Sequence, residues 1–188
     1  MACVMATIED TSRVAVTQMA CTVDWEANCQ QAETLVREAV VKQGADIVLL
    51  QELFSGLYFC IDQLEQHFAL ALPAEISSKN PLLERMSKLA CELNVVLPVS
   101  FFERAGNVFF NTIAILDSDG TLLGFYRKSH IPDGPGYTEK FYFSPGDTGF
   151  RVWRTRKGVT IGVGICRFFG VYAMFLLIPV TSRYRFCL

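Results

Sequence analysis

Three apolar, strand-like runs in this chain each end on a residue able to do chemistry. The run 46–51 ends at Glu52, the run 121–127 at Lys128, and the run 159–165 at Cys166. A carboxylate, an amine and a thiol at strand ends suit a thiol-acyl hydrolase, as base, oxyanion stabiliser and nucleophile. A free thiol with a pKa near 8.5 is only a few per cent thiolate at neutral pH, so a neighbouring base must take its proton. Taken singly, each residue has a plainer reading: a solvated rim glutamate, a charged edge beside Arg127, a buried inert thiol. Spacing alone leaves both readings open.

The elements that would position these residues can be read from period and punctuation. Residues 13–20 alternate and are rich in Val and Thr, which predicts a first strand. Asp24 caps a helix to about Gln43 with Ala32, Leu35, Val36, Ala39 and Val40 at helical spacing, and Gly44 stops it. A second helix is predicted over 81–93, capped by Asn80, with Pro81 at its first position and Leu82, Met86, Leu89 and Leu93 on one face. Residues 94–102 read as a strand in which Pro98 argues for an edge or a bulge. A hairpin loop at 105–107 leads into a strand over 108–116, and the turn 117–120 leads into the run ending at Lys128. Residues 129–149 form a long structured loop, and 150–165 a further hairpin. Strand–helix alternation followed by hairpins predicts a mixed sheet covered by helices.

Bulk composition narrows the partners. Of the 188 residues 51% are hydrophobic and 19% charged, which excludes a disordered chain, and the formal net charge of -2 favours neither nucleic acid nor an anionic membrane. A small molecule is the expected partner. Seven scattered cysteines without a C-x-x-C pair, and only His67 and His130 beside them, supply no metal-ligand spacing. The cysteines are read as reduced thiols of a cytoplasmic protein, and the N-terminus shows no secretory signal. The run 159–180 carries Arg167 near its middle and Pro179 within its uncharged part, so it is not read as a membrane span.

Local words add to this. "QELFSGLYFC" at 51–60, "YRKSHIPDGPGYTEKFYFSPGDTGF" at 126–150 and "IGVGIC" at 161–166 resemble the nitrilase, or carbon–nitrogen hydrolase, superfamily, and within it the plant-type N-carbamoylputrescine amidases. The resemblance covers residues 13–166 and implies an α/β fold, an αββα sandwich, with a Glu–Lys–Cys triad and neither metal nor cofactor. It implies Glu52 as general base, Lys128 as catalytic lysine, Cys166 as nucleophile, and Glu139 as a second glutamate positioning lysine or substrate. It also implies hydrolysis of a linear amide or ureido C–N bond, with N-carbamoylputrescine giving putrescine, carbon dioxide and ammonia in polyamine biosynthesis, in subunits that homo-oligomerise. Lys128 and the backbone N–H of Arg167 are then the oxyanion donors. Tyr58 lines the pocket or belongs to an aromatic core; His130 is read as a loop histidine rather than a base, and His67 as a surface residue.

Residues 167–188 depart from the family, which continues after the cysteine with Trp-Asp where this chain has Arg167 and Phe168. They read as a divergent apolar tail, following an N-terminal portion of the hydrolase domain at 13–166. The expected consequence is an incomplete sandwich with uncovered sheet faces, prone to aggregation and lacking turnover on its own. An inactive truncated isoform that binds full-length subunits is therefore the alternative function.

Overall fold

The strands announce two-sided burial by their parity. In β2 (Ile47–Leu49), Ile47 and Leu49 point to one side and Val48, with Leu50 beyond it, to the other, and all four are buried. Such a strand needs cover on both faces. The computed structural model describes residues 12–166, with the backbone pairings of 166, 174–175 and 178–179.

Cover on the first face comes from two helices. The helix α1 (Trp25–Gln43) starts where the Asp24 side chain accepts from the Ala27 N–H and ends at Gly44, whose φ of +67° only glycine adopts cheaply. The helix α2 (Pro81–Leu93) is capped by Asn80, which accepts from the Leu83 N–H. Cys29, Ala32 and Val36 of α1 and Leu82, Met86 and Leu89 of α2 pack on Val48, Leu50, Leu97, Val99 and Leu116. Both predicted helices are found with these bounds.

The sheet they cover begins with β1 (Val14–Val16), parallel to β2 and shorter than the predicted strand. The strands β3 (Leu97–Ala105), β4 (Val108–Leu116) and β5 (Leu122–Arg127) follow as an antiparallel meander. Val96 bridges this meander to Ile47, and its N–H donates to the Asp46 carbonyl at 2.9 Å. Pro98 explains itself here. Val96 and Arg104, residues of its parity, send their N–H groups away from β4, so the nitrogen of Pro98 faces the side where pairing with β2 has ended.

On the opposite face lie β6 (Val152–Arg154) and β7 (Thr160–Gly162), an antiparallel pair. Ile161, Val163 and Ile165 meet Ile47, Leu49, Val96, Ile113, Ile115 and Tyr126, forming a second core between two sheets. Helices, sheet and second sheet make three layers of the expected αββα sandwich. Two further backbone pairings join β8 (Ile165–Cys166) to β9 (Met174–Phe175), and β7 to β10 (Ile178–Pro179). The remainder of 167–188 lies outside the described residues. Among the described residues no helix is long and apolar enough to cross a membrane.

Candidate active site

Glu52 sits just beyond β2 at a sharp change of direction. The next residue, Leu53, has φ +52°, a left-handed conformation unfavourable to a leucine, and its N–H is held by Ser100 Oγ at 3.1 Å. Buried Leu50 and Phe54 anchor the bend on either side, so the Glu52 carboxylate is presented at the sheet end with its side chain 9% exposed.

Lys128 follows the last residue of β5, and its N–H donates to the Asn111 carbonyl at 2.8 Å, extending the ladder by one pair. Strand alternation sends Arg127 and Lys128 to opposite faces. Arg127 binds Glu103 through Nε and Nη2, lies over the Phe110 ring at 4.1 Å and reaches Asp147 at 2.8 Å. Lys128 is 2% exposed and turns toward the carboxylates, with Nζ 3.2 Å from Glu52 Oε1 and 2.7 Å from Glu139 Oε2.

Glu139 opens a short helix, α3 (Glu139–Tyr142), within the long loop. The Thr138 N–H and hydroxyl both donate to the Cys60 carbonyl, at 2.7 and 3.0 Å. Phe59, Phe102, Tyr142 and Phe143 pack around them, Phe59 edge-on to Tyr142 at 4.9 Å. The aromatic loop and the proline–glycine loop are thereby joined. Tyr58 consequently reaches Glu139, its hydroxyl donating to Oε1 at 2.9 Å. Tyr58 thus joins the hydrogen bonds around Glu139, while its neighbour Phe59 packs in the aromatic core.

The electrostatics assign protons. Burial by itself would lower the pKa of Lys128, but the Glu52 and Glu139 carboxylates outweigh it and hold the amine above its ordinary value. Lys128 is thus a cation at neutral pH and cannot act as a base. Among the described residues two of its three N–H donors are taken, leaving one for a ligand. Burial raises the Glu139 carboxyl; Lys128 opposes this and Glu52 adds to it. Burial and then the Glu139 carboxylate push the Tyr58 hydroxyl up, so it remains a donor. Cys60 is fully buried nearby, and burial followed by Glu139 and Glu52 raises its thiol, which keeps it protonated and out of nucleophilic chemistry.

Four of the five expected site residues, Glu52, Tyr58, Lys128 and Glu139, therefore meet in one hydrogen-bonded network. Of the fifth, Cys166, only the backbone is described, at the end of the strand after Val163; its side chain, like the N–H of Arg167, lies outside the described residues. His130 is exposed in the loop. His67 corrects the expectation of a surface residue. It is half-buried against Phe59, with Nδ1 3.1 Å from the Tyr142 hydroxyl, because the 3-10 turn Glu65–Leu70 lies over the aromatic cluster.

Sequence reasoning missed Asn111, whose Nδ2 donates to Glu52 Oε1 at 2.5 Å. The available signal was an asparagine inside an apolar run of strand formers, where that residue is depleted. Among the described residues no group of three or more His, Cys, Asp or Glu could hold a metal ion.

Comparison with known proteins places this arrangement. The family model described as carbon-nitrogen hydrolase matches residues 13–169. The N-carbamoylputrescine amidase of Oryza sativa subsp. japonica is 59% identical over 153 residues, which cover 81% of this chain and 49% of that protein. The citrullinase of Francisella tularensis is 47% identical over 154 residues, covering 82% of this chain and 52% of that protein. Among solved structures, a carbon–nitrogen hydrolase from Helicobacter pylori G27 aligns with a TM-score of 0.68 at 36% identity, over 76% of this chain and 48% of that one. The chain spans about half the length of the curated relatives it matches.

Proposed function

Since this chain belongs to the carbon–nitrogen hydrolase family, we propose that its site hydrolyses the C–N bond of a linear ureido compound, with N-carbamoylputrescine as the substrate. The observation that carries the reading is the buried lysine shared by two carboxylates, Lys128 between Glu52 and Glu139, with one N–H donor left over among the described residues. In the proposed reaction Glu52 takes the proton of the Cys166 thiol and the sulfur attacks the carbamoyl carbon. Negative charge develops on the carbonyl oxygen, where the free Lys128 N–H and the backbone N–H of residue 167 receive it. Ureas are poor electrophiles, so this stabilisation matters greatly; losing one such donor typically costs about 10²–10³ in rate. The C–N bond breaks as Glu52 returns its proton to the departing nitrogen. Water, deprotonated by Glu52, then cleaves the S-carbonyl intermediate and frees the thiol, carbon dioxide and the remaining nitrogen. The products are putrescine, carbon dioxide and ammonia. Glu139, held by Tyr58, keeps Lys128 in place and takes no proton in the cycle.

Two relatives support the substrate class. N-carbamoylputrescine and citrulline carry the same terminal ureido group, so the reacting head is common to the activities named for them. The higher identity to the amidase favours the putrescine tail. Cys21, Cys29, Cys60 and Cys91 are unpaired, which supports a reducing, cytoplasmic setting. Arg167 and Phe168, standing where the family has Trp-Asp, support a second reading, a chain without turnover that associates with active family subunits.

Ammonia release by the purified 188-residue chain tests both readings, with N-carbamoylputrescine and citrulline offered separately. The first reading predicts turnover of N-carbamoylputrescine that Cys166→Ala abolishes with the circular dichroism unchanged. Turnover retained by Cys166→Ala removes the nucleophile assignment. Release from citrulline alone moves the substrate. No release from either, together with co-elution with a full-length relative, establishes the second reading.

A further inference from the structure

Asn111 and Lys128 are cross-strand partners at one end of the sheet. Thr112 stands opposite Arg127 in the β4–β5 register, and the Lys128 N–H closes the next pair on the Asn111 carbonyl. From these adjacent positions both side chains send a donor to one atom: Nδ2 of Asn111 and Nζ of Lys128 lie 2.5 and 3.2 Å from Glu52 Oε1.

Asn111 is completely buried, and its amide fits one way round. Turned over, its oxygen would face a carboxylate oxygen and its NH₂ would be buried unbonded. In the orientation present, Oδ1 is buried and has no hydrogen-bond partner among the described residues. A leucine has nearly the same shape and no orphaned acceptor, so packing by itself does not explain an asparagine here.

We propose that Asn111 is a positioning residue for the general base: with Lys128 it saturates Oε1 of Glu52, so that Oε2 takes the proton of the nucleophile. This rests on the reading of Glu52 as base and Cys166 as nucleophile. Two donors converging on one oxygen fix the plane of the carboxylate. Among the described residues nothing donates to Oε2, which is left as the proton acceptor.

The test follows alkylation of Cys166 by iodoacetamide against pH, read at the Cys166 peptide by mass spectrometry, so that it does not depend on turnover. The 188-residue chain is compared with Glu52→Gln, Asn111→Leu and Asn111→Asp, and thermal midpoints are measured on the same samples. Glu52→Gln should convert the profile to that of an ordinary thiol titrating near pH 8.5. Asn111→Leu should lower the rate at pH 7 by about tenfold or more while the midpoint stays level or rises, because an orphaned acceptor is removed. Asn111→Asp puts a second carboxylate against Glu52 and should move the acid limb upward by about one pH unit or more.

Wild-type profiles in both Asn111 variants, with an altered one in Glu52→Gln, overturn the proposal. So does an Asn111→Leu variant that loses midpoint and rate together while Asn111→Asp keeps the wild-type profile. If Asn111→Leu does not fold, the shift or constancy of the Asn111→Asp limb decides. An unchanged profile in Glu52→Gln refutes the base assignment itself, a result distinct from the failure of Asn111 alone.

Discussion

Lys128 keeps its charge in a place where a lone ammonium would lose it. Its side chain is 2% exposed, and among the described residues the paired carboxylates of Glu52 and Glu139 compensate for the lost water. Replacing it by Met removes the cation and leaves those carboxylates buried without one, which should cost roughly 3–5 kcal/mol at pH 7. Glu139, already raised by burial, then lacks the charge that holds it down. A carboxyl whose pKa rises on folding stabilises the fold below its unfolded value, and that contribution fades as pH climbs through the folded value. Lys128→Met should therefore regain stability as pH falls from 7 toward 5, measured by urea denaturation at each pH. The parent chain should show a dependence of the same sign at the alkaline end. Its raised lysine contributes fully below pH 10.5 and that contribution is lost as pH rises further, through the folded value. A Lys128→Met variant with unchanged stability at pH 7 would show that the ion pairs carry none of it.

Elements set the precision of this network, and β5 with its return loop shows how. The Gly146 N–H donates to the Lys128 carbonyl at 2.8 Å, the Arg127 N–H reaches Thr148 Oγ1 at 3.0 Å, and Asp147 binds the Arg127 guanidinium. The loop is thus fastened to the backbone that carries Lys128. A Cβ at Gly146 would meet the Arg127 carbonyl well inside contact distance, whereas one at Gly136, φ +79°, meets open space. Gly146→Ala should cost about 1–3 kcal/mol through overpacking and displace Lys128. Gly136→Ala should cost only about 1–2 kcal/mol of backbone strain and leave the site intact. Thermal midpoints, with the Cys166 alkylation rate as the reading of site geometry, separate the two. Equal effects of both changes on the site would refute the fastening role.

At the scale of the whole molecule, the second sheet is held by few contacts of high value. Ile161 is fully buried between the sheets, in contact with the face formed by Ile47, Ile113 and Ile115. Ile161→Ala should lose about 2–5 kcal/mol as a cavity opens there. The outer strand behaves differently. Ala15 packs toward the helices, so Val14 and Val16 face the second-sheet side, yet Val16 is 75% exposed and lies beyond the cover of β6 and β7. Phe150 and Val152 are also exposed, at 62% and 56%. Val16→Thr should leave the midpoint within about 0.5 kcal/mol of the parent chain and lower its self-association. Light scattering against concentration measures this; identical association in the two proteins would exonerate the β1 edge.

What the chain states locally was legible without coordinates. Asp24 and Gly44, and Asn80 with Pro81, bound α1 and α2 because caps act within a few residues of the backbone they satisfy. Apolar runs marked the strands and placed Glu52 and Lys128 at their ends, and the words around 51–60 and 126–150 indicated the family. Glu139 was reached only through that resemblance, since nothing in its neighbourhood distinguishes it from a loop glutamate. Contacts that depend on register and loop docking could be found only in the folded molecule. Asn111 becomes a partner of Glu52 because β4 pairs with β5 in one register out of several the sequence permits. Tyr58 reaches Glu139 because Phe59, Tyr142 and Phe143 pull two distant loops together. His67 is half-buried for the same reason. Arg127 and Lys128, adjacent and alike in charge, diverge because the pleat sends one to Glu103 and the other to Glu52. Sequence determined which groups were available and where each element began and ended. Tertiary structure decided which of them share a proton, because hydrogen bonds over tens of residues depend on pairing and packing that no local pattern encodes.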